Sequence, residues 1–124
     1  MIVRELDCAV YSEIILFYTD CTASKLVNHM HSKYKIPKSD MAEVKKHSRT
    51  IGFAHHVKNY FVIWYRTPTD LATLVHELYH LCTRIFDYKG IPISYENDEA
   101  MAYYMGHWMN RFLNVLKEEK VNLV

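Results

Sequence analysis

The stretch 73-TLVHELYHLCTRIF-86 places His76, Glu77 and His80 inside a segment that is otherwise largely apolar. The apolar side chains recur at helical spacing and predict a helix that is apolar over most of its circumference. A helix of that kind is normally buried, and burying unpaired polar groups is costly. We therefore expect the three polar side chains to have partners inside the protein.

This predicted helix has recognisable start and stop signals. Before it, Thr67 can act as the N-cap, with Pro68 at the first helical position and Asp70 at the third, as in a capping box. Gly90 suits the left-handed residue that ends many helices. The sequence therefore predicts a helix that begins after Thr67 and runs to about Tyr88.

The two histidines are placed to share a metal ion. His76 and His80 stand at positions i and i+4, so they project from one helix face and can bind a single ion. With Glu77 between them they form HELYH, an instance of the HExxH pattern of zinc sites. Two core histidines satisfied by backbone or carboxylate groups are the alternative. A catalytic zinc needs a third protein ligand and an open position for water.

Candidates for the third ligand lie at the start of the last predicted helix. Glu96, Asp98 and Glu99 are acidic residues of the kind that the first turn of a helix favours. The helix is expected to continue to roughly Glu118. All three carboxylates share the first turn, so each is a possible ligand.

HELYH followed by 98-DEAMAY-103 resembles the gluzincin metallopeptidases. Their thermolysin-like members carry HExxH and then Asn-Glu-x-x-Ser-Asp on a second helix. The resemblance covers residues 67 to 118 and is strongest for the compact, single-domain gluzincin-like proteins often encoded by phages and mobile elements. It implies that Glu99, which lies 19 positions after His80, is the third ligand and that Asp98 takes the place of the asparagine.

The resemblance also implies a function. A Zn²⁺ ion held by His76, His80 and Glu99 would activate water and polarise the scissile carbonyl of a peptide. Glu77, which is not a ligand, would act as the general base and pass the proton to the leaving amine. The expected function is thus that of a zinc-dependent metalloendopeptidase.

A peptidase of this type also needs a donor for the oxyanion, commonly Tyr or His. Tyr103 projects about 40° from Glu99 and His107 about 80°, so Tyr103 is the preferred catalytic candidate. Tyr104 and the histidines at 55–56 are alternatives. Tyr103 also departs from the family, which has an aspartate there that steadies a ligating histidine, so another group must provide that support.

The rest of the last helix is expected to serve packing. Glycine inside a helix costs about 1 kcal/mol relative to alanine, and a close approach to the zinc helix would explain Gly106, unless the residue is a tolerated defect. Apolar side chains at helical spacing predict a core stripe. Its members are Ala102, Met105, Met109, Phe112 and Leu116.

Upstream residues predict a strand and a further helix. Residues 12–20 form an apolar, β-branched and aromatic run typical of a buried strand, whereas residues 2–11 are ambiguous between a strand and a helical turn. Residues 22–34 carry apolar side chains at helical spacing, with Thr22 as a candidate N-cap. This helix is expected to be amphipathic.

Residues 50–57 and 60–66 resemble two strands joined by a tight turn, the second lying inside the sheet because it is more apolar. The polar residues 38–49 form a loop or a short helix. Together with the resemblance, these elements predict that residues 1–124 form a single α+β domain of minimal zincin-like type. A small, mostly antiparallel sheet packs against three helices, with HExxH on the central one and the third ligand on the C-terminal one.

Composition narrows the possible partners and location. A formal net charge of +1 gives no overall field that would attract nucleic acid or acidic membranes, so neither partner is expected. Three cysteines without CxxC spacing indicate free thiols in a reducing compartment. The sequence shows neither a secretory signal nor an apolar stretch of the ~20 residues that span a bilayer, which predicts a cytoplasmic protein.

The expected partner is a polypeptide substrate. The hairpin of residues 50–66 is the nearby element that can bind it, by adding an extended peptide to a sheet edge. Two other functions compete with the enzyme. One is a zinc-stabilised binding or inhibitor protein with little or no hydrolysis, and the other is a metal-free domain with structural histidines.

Overall fold

The computed structural model describes residues 1–7, 11, 13–46 and 50–123. The strands are β1 (Ile2–Asp7), β2 (Ile14–Thr19), β3 (Gly52–Val57) and β4 (Tyr60–Tyr65). The α-helices are α1 (Ala23–Tyr34), α2 (Ala42–Lys46), α3 (Leu71–Tyr88) and α4 (Asp98–Glu118), and two 3₁₀ turns cover Lys38–Met41 and Tyr95–Asn97. None of the helices in these ranges is both long and apolar enough to cross a bilayer.

The four strands form one mixed sheet in the order β1-β2-β4-β3. The β1–β2 and β3–β4 pairs are antiparallel, and the β2–β4 pair is parallel. The α+β class and the small, mostly antiparallel sheet are therefore confirmed. The second strand of the hairpin lies inside the sheet as predicted, and this leaves β3 at an edge with β4 as its neighbour.

Helices cover both faces of the sheet. Ile15 and Phe17 of β2 point towards α3 and α4, whereas Leu16 and Tyr18 point towards α1. Alternation of this kind sends successive side chains of a strand to opposite faces. Because both faces are covered, β2 and β4 are nearly continuous apolar runs rather than alternating ones.

Helix α1 and the segment that follows it agree with the predictions made from the sequence. The Thr22 hydroxyl caps α1 by accepting a hydrogen bond of 3.3 Å from the backbone N–H of Lys25. The polar segment after α1 contains a 3₁₀ turn and the short α2, which fits the short-helix alternative. Residues 47–49 of that segment lie outside the described part of the chain.

The start of α3 differs from the prediction. Asp70 is the N-cap, and its carboxylate accepts a hydrogen bond of 3.2 Å from the backbone N–H of Thr73. The helix therefore begins at Leu71, and the prediction of Thr67 as N-cap was wrong. Residues 67–70 instead form a turn, closed by a hydrogen bond of 2.9 Å from the Asp70 N–H to the Thr67 carbonyl. Aspartate is a good N-cap because its side chain is short and its charged carboxylate oxygen accepts a hydrogen bond from the backbone N–H.

Tyr65, the last residue of β4, ties this turn to the sheet. Its hydroxyl donates a hydrogen bond of 2.9 Å to the carbonyl of Pro68. Burial raises the pKa of Tyr65 to about 12, which further favours the protonated form of the hydroxyl, the form that can donate. The contact fixes the start of α3 relative to β4.

The end of α3 is as predicted. Gly90 has a φ of 71°, in the left-handed region. The N–H of Ile91 donates to the carbonyl of Phe86 at 2.8 Å, and the N–H of Gly90 donates to the carbonyl of Asp87 at 3.0 Å. These two bonds form a Schellman motif, which satisfies carbonyls that the last turn leaves without helical partners.

The buried face of α4 differs from the predicted stripe. Phe112 and Leu116 are buried as predicted and Met105 and Met109 are half-buried, but Ala102 is exposed, and the centre of the buried set is rotated by roughly 70° around the helix. Aromatic side chains bury more apolar area than alanine and methionine, so they determine which face packs. The buried residues are Met101, Tyr104, Trp108, Phe112, Val115 and Leu116.

Two of the three cysteines lie in the described part of the chain. Cys21 and Cys82 are buried and form no disulfide there, as expected for thiols. Burial raises the pKa of the Cys21 thiol, which makes it a poor nucleophile. Cys8 lies outside the described residues.

Candidate metal centre

The imidazoles of His76 and His80 meet on one face of α3. Their Nε2 atoms are 3.3 Å apart, and the two rings are nearly perpendicular, at 73°. A tetrahedral zinc ion with zinc–nitrogen distances of about 2.1 Å separates two ligand nitrogens by about 3.4 Å. The pair therefore fits two corners of a zinc site. A hydrogen bond between two neutral rings, as in the metal-free alternative, has a similar length.

The expectation that α3 is buried all round was wrong. The side chain of His76 is 68% exposed and that of Glu77 only 9% exposed. Val75 and Tyr79 are also exposed. Only one face of α3 packs on the sheet, and the apolar residues on the other face stay in contact with solvent. The two histidines therefore face the surface, while the carboxylate between them points into the protein.

Glu77 is held beside the histidine pair. Its Oε1 atom lies 3.7 Å from Nε2 of His76. It is one of only three buried polar or charged residues in the described part of the chain. A carboxylate fixed next to a pair of possible metal ligands is placed to exchange protons with whatever binds there.

Gly52 makes room for Glu77. A Cβ atom built on Gly52 lies 2.9 Å from Cγ2 of Thr73 and 3.0 Å from Cγ of Glu77. It also lies 3.0 Å from the backbone carbonyl oxygen of Trp64. Real side chains do not tolerate such distances without a shift, so the close packing of α3 on β3 requires glycine here. Sequence reasoning missed this residue, although a glycine within a strand often marks a close approach.

A small groove runs between α3 and the edge of the sheet. Its volume is about 250 Å³, and residues 52–55 of β3 form one wall. His76, Glu77, His80 and Arg84 of α3 form the other wall. The HExxH residues and the edge strand thus share one groove. Arg84 was not predicted, although its position four residues after His80 places it on the same helix face.

Glu99 and Tyr103 lie elsewhere. Together with His107 they line a depression of about 500 Å³ on the exposed face of α4. They share one helix face as predicted, but that face is about 180° from the buried Trp108, nine residues after Glu99. The structure therefore does not bring Glu99 or Tyr103 into the groove with His76.

The third ligand thus stays a prediction. Within residues 1–7, 11, 13–46 and 50–123, no group of three or more His, Cys, Asp or Glu side chains is close enough to hold a metal ion. Asp98, one of the alternatives, lines a different depression together with Tyr79 and Met101, between α3 and α4. Asp98 and Glu99 are both exposed, and Asp98 lies on the side of α4 that is nearer to α3.

The explanation for Gly106 as a close approach was wrong. A Cβ atom added there meets nothing within 4 Å. Gly106 instead lines the open depression with Glu99 and Tyr103. The alternative, a glycine that is tolerated on an exposed helix face, fits this position.

The hairpin histidines point to opposite sides of the sheet. His55 packs beside Phe53, with ring centroids 5.5 Å apart, and His56 stacks on Phe61, with ring centroids 4.2 Å apart. His55 also contributes to the wall of the groove. These contacts account for both side chains as packing residues of β3.

Comparisons with known proteins add no identity to this geometry. No protein-family model, curated protein or solved structure matches the chain.

Proposed function

We propose that this chain is a zinc-dependent metallopeptidase. The observation that carries the proposal is the 3.3 Å separation of the Nε2 atoms of His76 and His80, with the buried carboxylate of Glu77 beside them. His76 and His80 would supply two ligands, and the resemblance assigns the third to Glu99. Because Glu99 faces solvent, its binding requires the first turn of α4 to reorient, which is the kind of coupling that metal binding can drive.

Glu77 would move the protons of the reaction. When bound, zinc lowers the pKa of a water ligand towards ~7 and polarises the substrate carbonyl. The carboxylate of Glu77 accepts the proton of the attacking water and then delivers it to the leaving amine. Burial against Gly52 holds the Glu77 stem in one position, so little reorganisation is needed during the reaction. Tyr103 can donate to the oxyanion only if it moves together with Glu99 when the first turns of α4 reorient.

The edge of β3 is the proposed binding surface for an extended peptide. The carbonyl of Ala54 faces Arg84 rather than β4. Backbone groups alternate in an antiparallel pair, so the N–H and C=O groups of Gly52 and His56 also face outward. These groups run along the groove that contains His76 and Glu77, and a peptide added as a strand would pass over both.

A zinc-stabilised binding or inhibitor protein is the second candidate. The groove of about 250 Å³ is smaller than the 300–1,000 Å³ typical of small-molecule and cofactor sites. A shallow groove of this size suits a binding surface at least as well as a cleft. In the enzyme Glu77 would take part in hydrolysis, whereas the binding or inhibitor protein would hydrolyse little or no peptide. A cleavage assay distinguishes the two functions.

The third ligand can be tested by measuring zinc affinity in competition with a chelator. We expect Glu99→Gln to weaken zinc binding by more than about tenfold, the lower end of what loss of a supporting residue costs at metal sites. Asp98→Asn is the matched control, because it introduces the residue that the resembling family carries there. Its affinity should stay within about threefold of the wild type, as for the loss of an exposed charge.

The reverse order of effects would move the third ligand to Asp98. Unchanged affinity in both variants would contradict a ligand from the first turn of α4. Neither result would bear on the assignment of His76 and His80, which have their own test.

A further inference from the structure

We infer that Arg84 is a specificity-determining residue that binds the carboxyl-terminal carboxylate of a peptide in the groove. This inference rests on the proposed function and narrows its substrate class to peptides cut near a free C-terminus. Arg84 belongs to neither of the two motif segments that carry the resemblance, residues 76–80 and 98–103, and its assignment follows from the contacts of the groove.

The position of Arg84 continues the line of the two histidines. His76, His80 and Arg84 are spaced by four residues, so each lies about 6 Å further along α3 on nearly the same face. All three line the same groove. A ligand that runs along the groove past the histidine pair therefore reaches the guanidinium next.

A backbone contact anchors the guanidinium. Nε of Arg84 donates a hydrogen bond of 2.9 Å to the carbonyl oxygen of Ala54 on the edge strand. That bond uses one of the five N–H donors of the side chain. Towards the described residues, Arg84 makes no other hydrogen bond or ion pair, which leaves the donors on Nη1 and Nη2 for a ligand. Anchoring through Nε reduces the entropy that binding would otherwise cost.

The charges of the groove favour a carboxylate. Arginine is always protonated, and its planar fork matches a carboxylate in a bidentate arrangement. Glu77 is the acidic residue of the groove, and it lies beside His76 rather than beside the guanidinium. An extended peptide bound on β3 carries amides along its length and has a carboxylate only at acidic side chains and at its end. The terminal carboxylate is the one anion that every peptide supplies.

The spacing fixes the register. Along the helix, Arg84 lies about 9 Å beyond the midpoint of the His76–His80 pair. An extended chain covers about 3.3 Å per residue. A terminal carboxylate at Arg84 therefore places the carbonyl about three residues upstream beside the histidine pair. The expected product of cleavage is a short C-terminal fragment of about three residues.

The competing role for Arg84 is structural. A charged side chain that occupies an edge carbonyl can protect the edge strand from pairing with other chains. That role predicts loss of stability or solubility when Arg84 is replaced, but it predicts no preference between peptide termini. The choice of peptide terminus therefore separates the two roles.

The test measures binding without turnover. Zinc-supplemented Glu77→Gln protein is titrated with two fluorescent peptides of the same sequence, one with a free C-terminal carboxylate and one with a C-terminal amide. We expect the carboxylate peptide to bind at least about tenfold more tightly, as charge-assisted bidentate pairs do. Adding Arg84→Gln should abolish this difference while leaving the affinity for the amide peptide unchanged, and Arg84→Lys should restore part of it.

Equal affinity for the two peptides in the presence of Arg84, or no binding of either, would overturn the inference. A preference that survives Arg84→Gln would also overturn it. Because the readout is binding to a variant that lacks the general base, failure of wild-type protein to cleave peptides would count against the proposed function and leave this inference standing.

Discussion

Glu77→Gln is expected to lower the rate of peptide cleavage by about 10²–10⁴-fold, the usual contribution of a positioned general base. Glutamine has nearly the same size as glutamate, so it fits the space beside Gly52, but it cannot accept the proton of the attacking water. Zinc content and the midpoint of urea denaturation should stay close to those of the wild type. The rate is measured with a quenched fluorescent peptide mixture at saturating zinc.

Glu118→Gln is the matched control for this change. Glu118 is an exposed glutamate at the far end of α4, and the same substitution there should leave the rate unchanged. Equal rates in wild type and Glu77→Gln would remove Glu77 from the mechanism. Cleavage by neither protein would count against the enzyme.

Gly52→Ala is expected to destabilise the fold by about 1–3 kcal/mol, the usual cost of adding a methyl group to a packed site. The new Cβ would lie 3.0 Å or less from Thr73, Glu77 and the Trp64 carbonyl. The backbone carbonyl cannot turn aside, so α3 must move away from β3. The free energy of unfolding is measured by urea denaturation, and peptide cleavage should fall as well because Glu77 moves with α3.

Gly106→Ala makes the same chemical change where the structure is open. Apart from its chain neighbours and the local backbone of α4, no atom lies within 4 Å of the added Cβ, and alanine is favoured over glycine inside a helix by about 1 kcal/mol. This variant should therefore be as stable as the wild type or up to about 1 kcal/mol more stable. A similar loss of stability in both variants would show that the packing at Gly52 is not what makes its substitution costly.

Sequence reasoning worked where the signal is local. The end of α3 at Gly90 and the cap of α1 at Thr22 depend on residues within one helical turn, and both are as predicted. The i, i+4 placement of His76 and His80 is equally local, and it brings their rings together. The start of α3 was missed by three residues because Thr67 and Asp70 are both good caps and only the backbone path chooses between them.

The features that sequence reasoning missed depend on contacts between distant segments. Tyr104 and Trp108 compete with smaller apolar residues for the buried face of α4, and the two aromatic residues are the ones that pack. Glu99 therefore lies on the exposed face of the helix. Gly52 and Arg84 matter because β3 lies against α3, and they are separated from each other by 32 positions in the chain. No periodicity within a single segment encodes that approach.

The central claim is that His76 and His80 hold zinc, and the zinc content of the purified protein tests it most directly. The protein is expressed with zinc in the medium, purified without chelators and analysed by plasma emission spectroscopy beside the His76→Ala/His80→Ala double variant. We expect about one equivalent of zinc per wild-type chain and almost none in the double variant. Less than about half an equivalent in the wild type, or equal zinc in the two proteins, would contradict the claim.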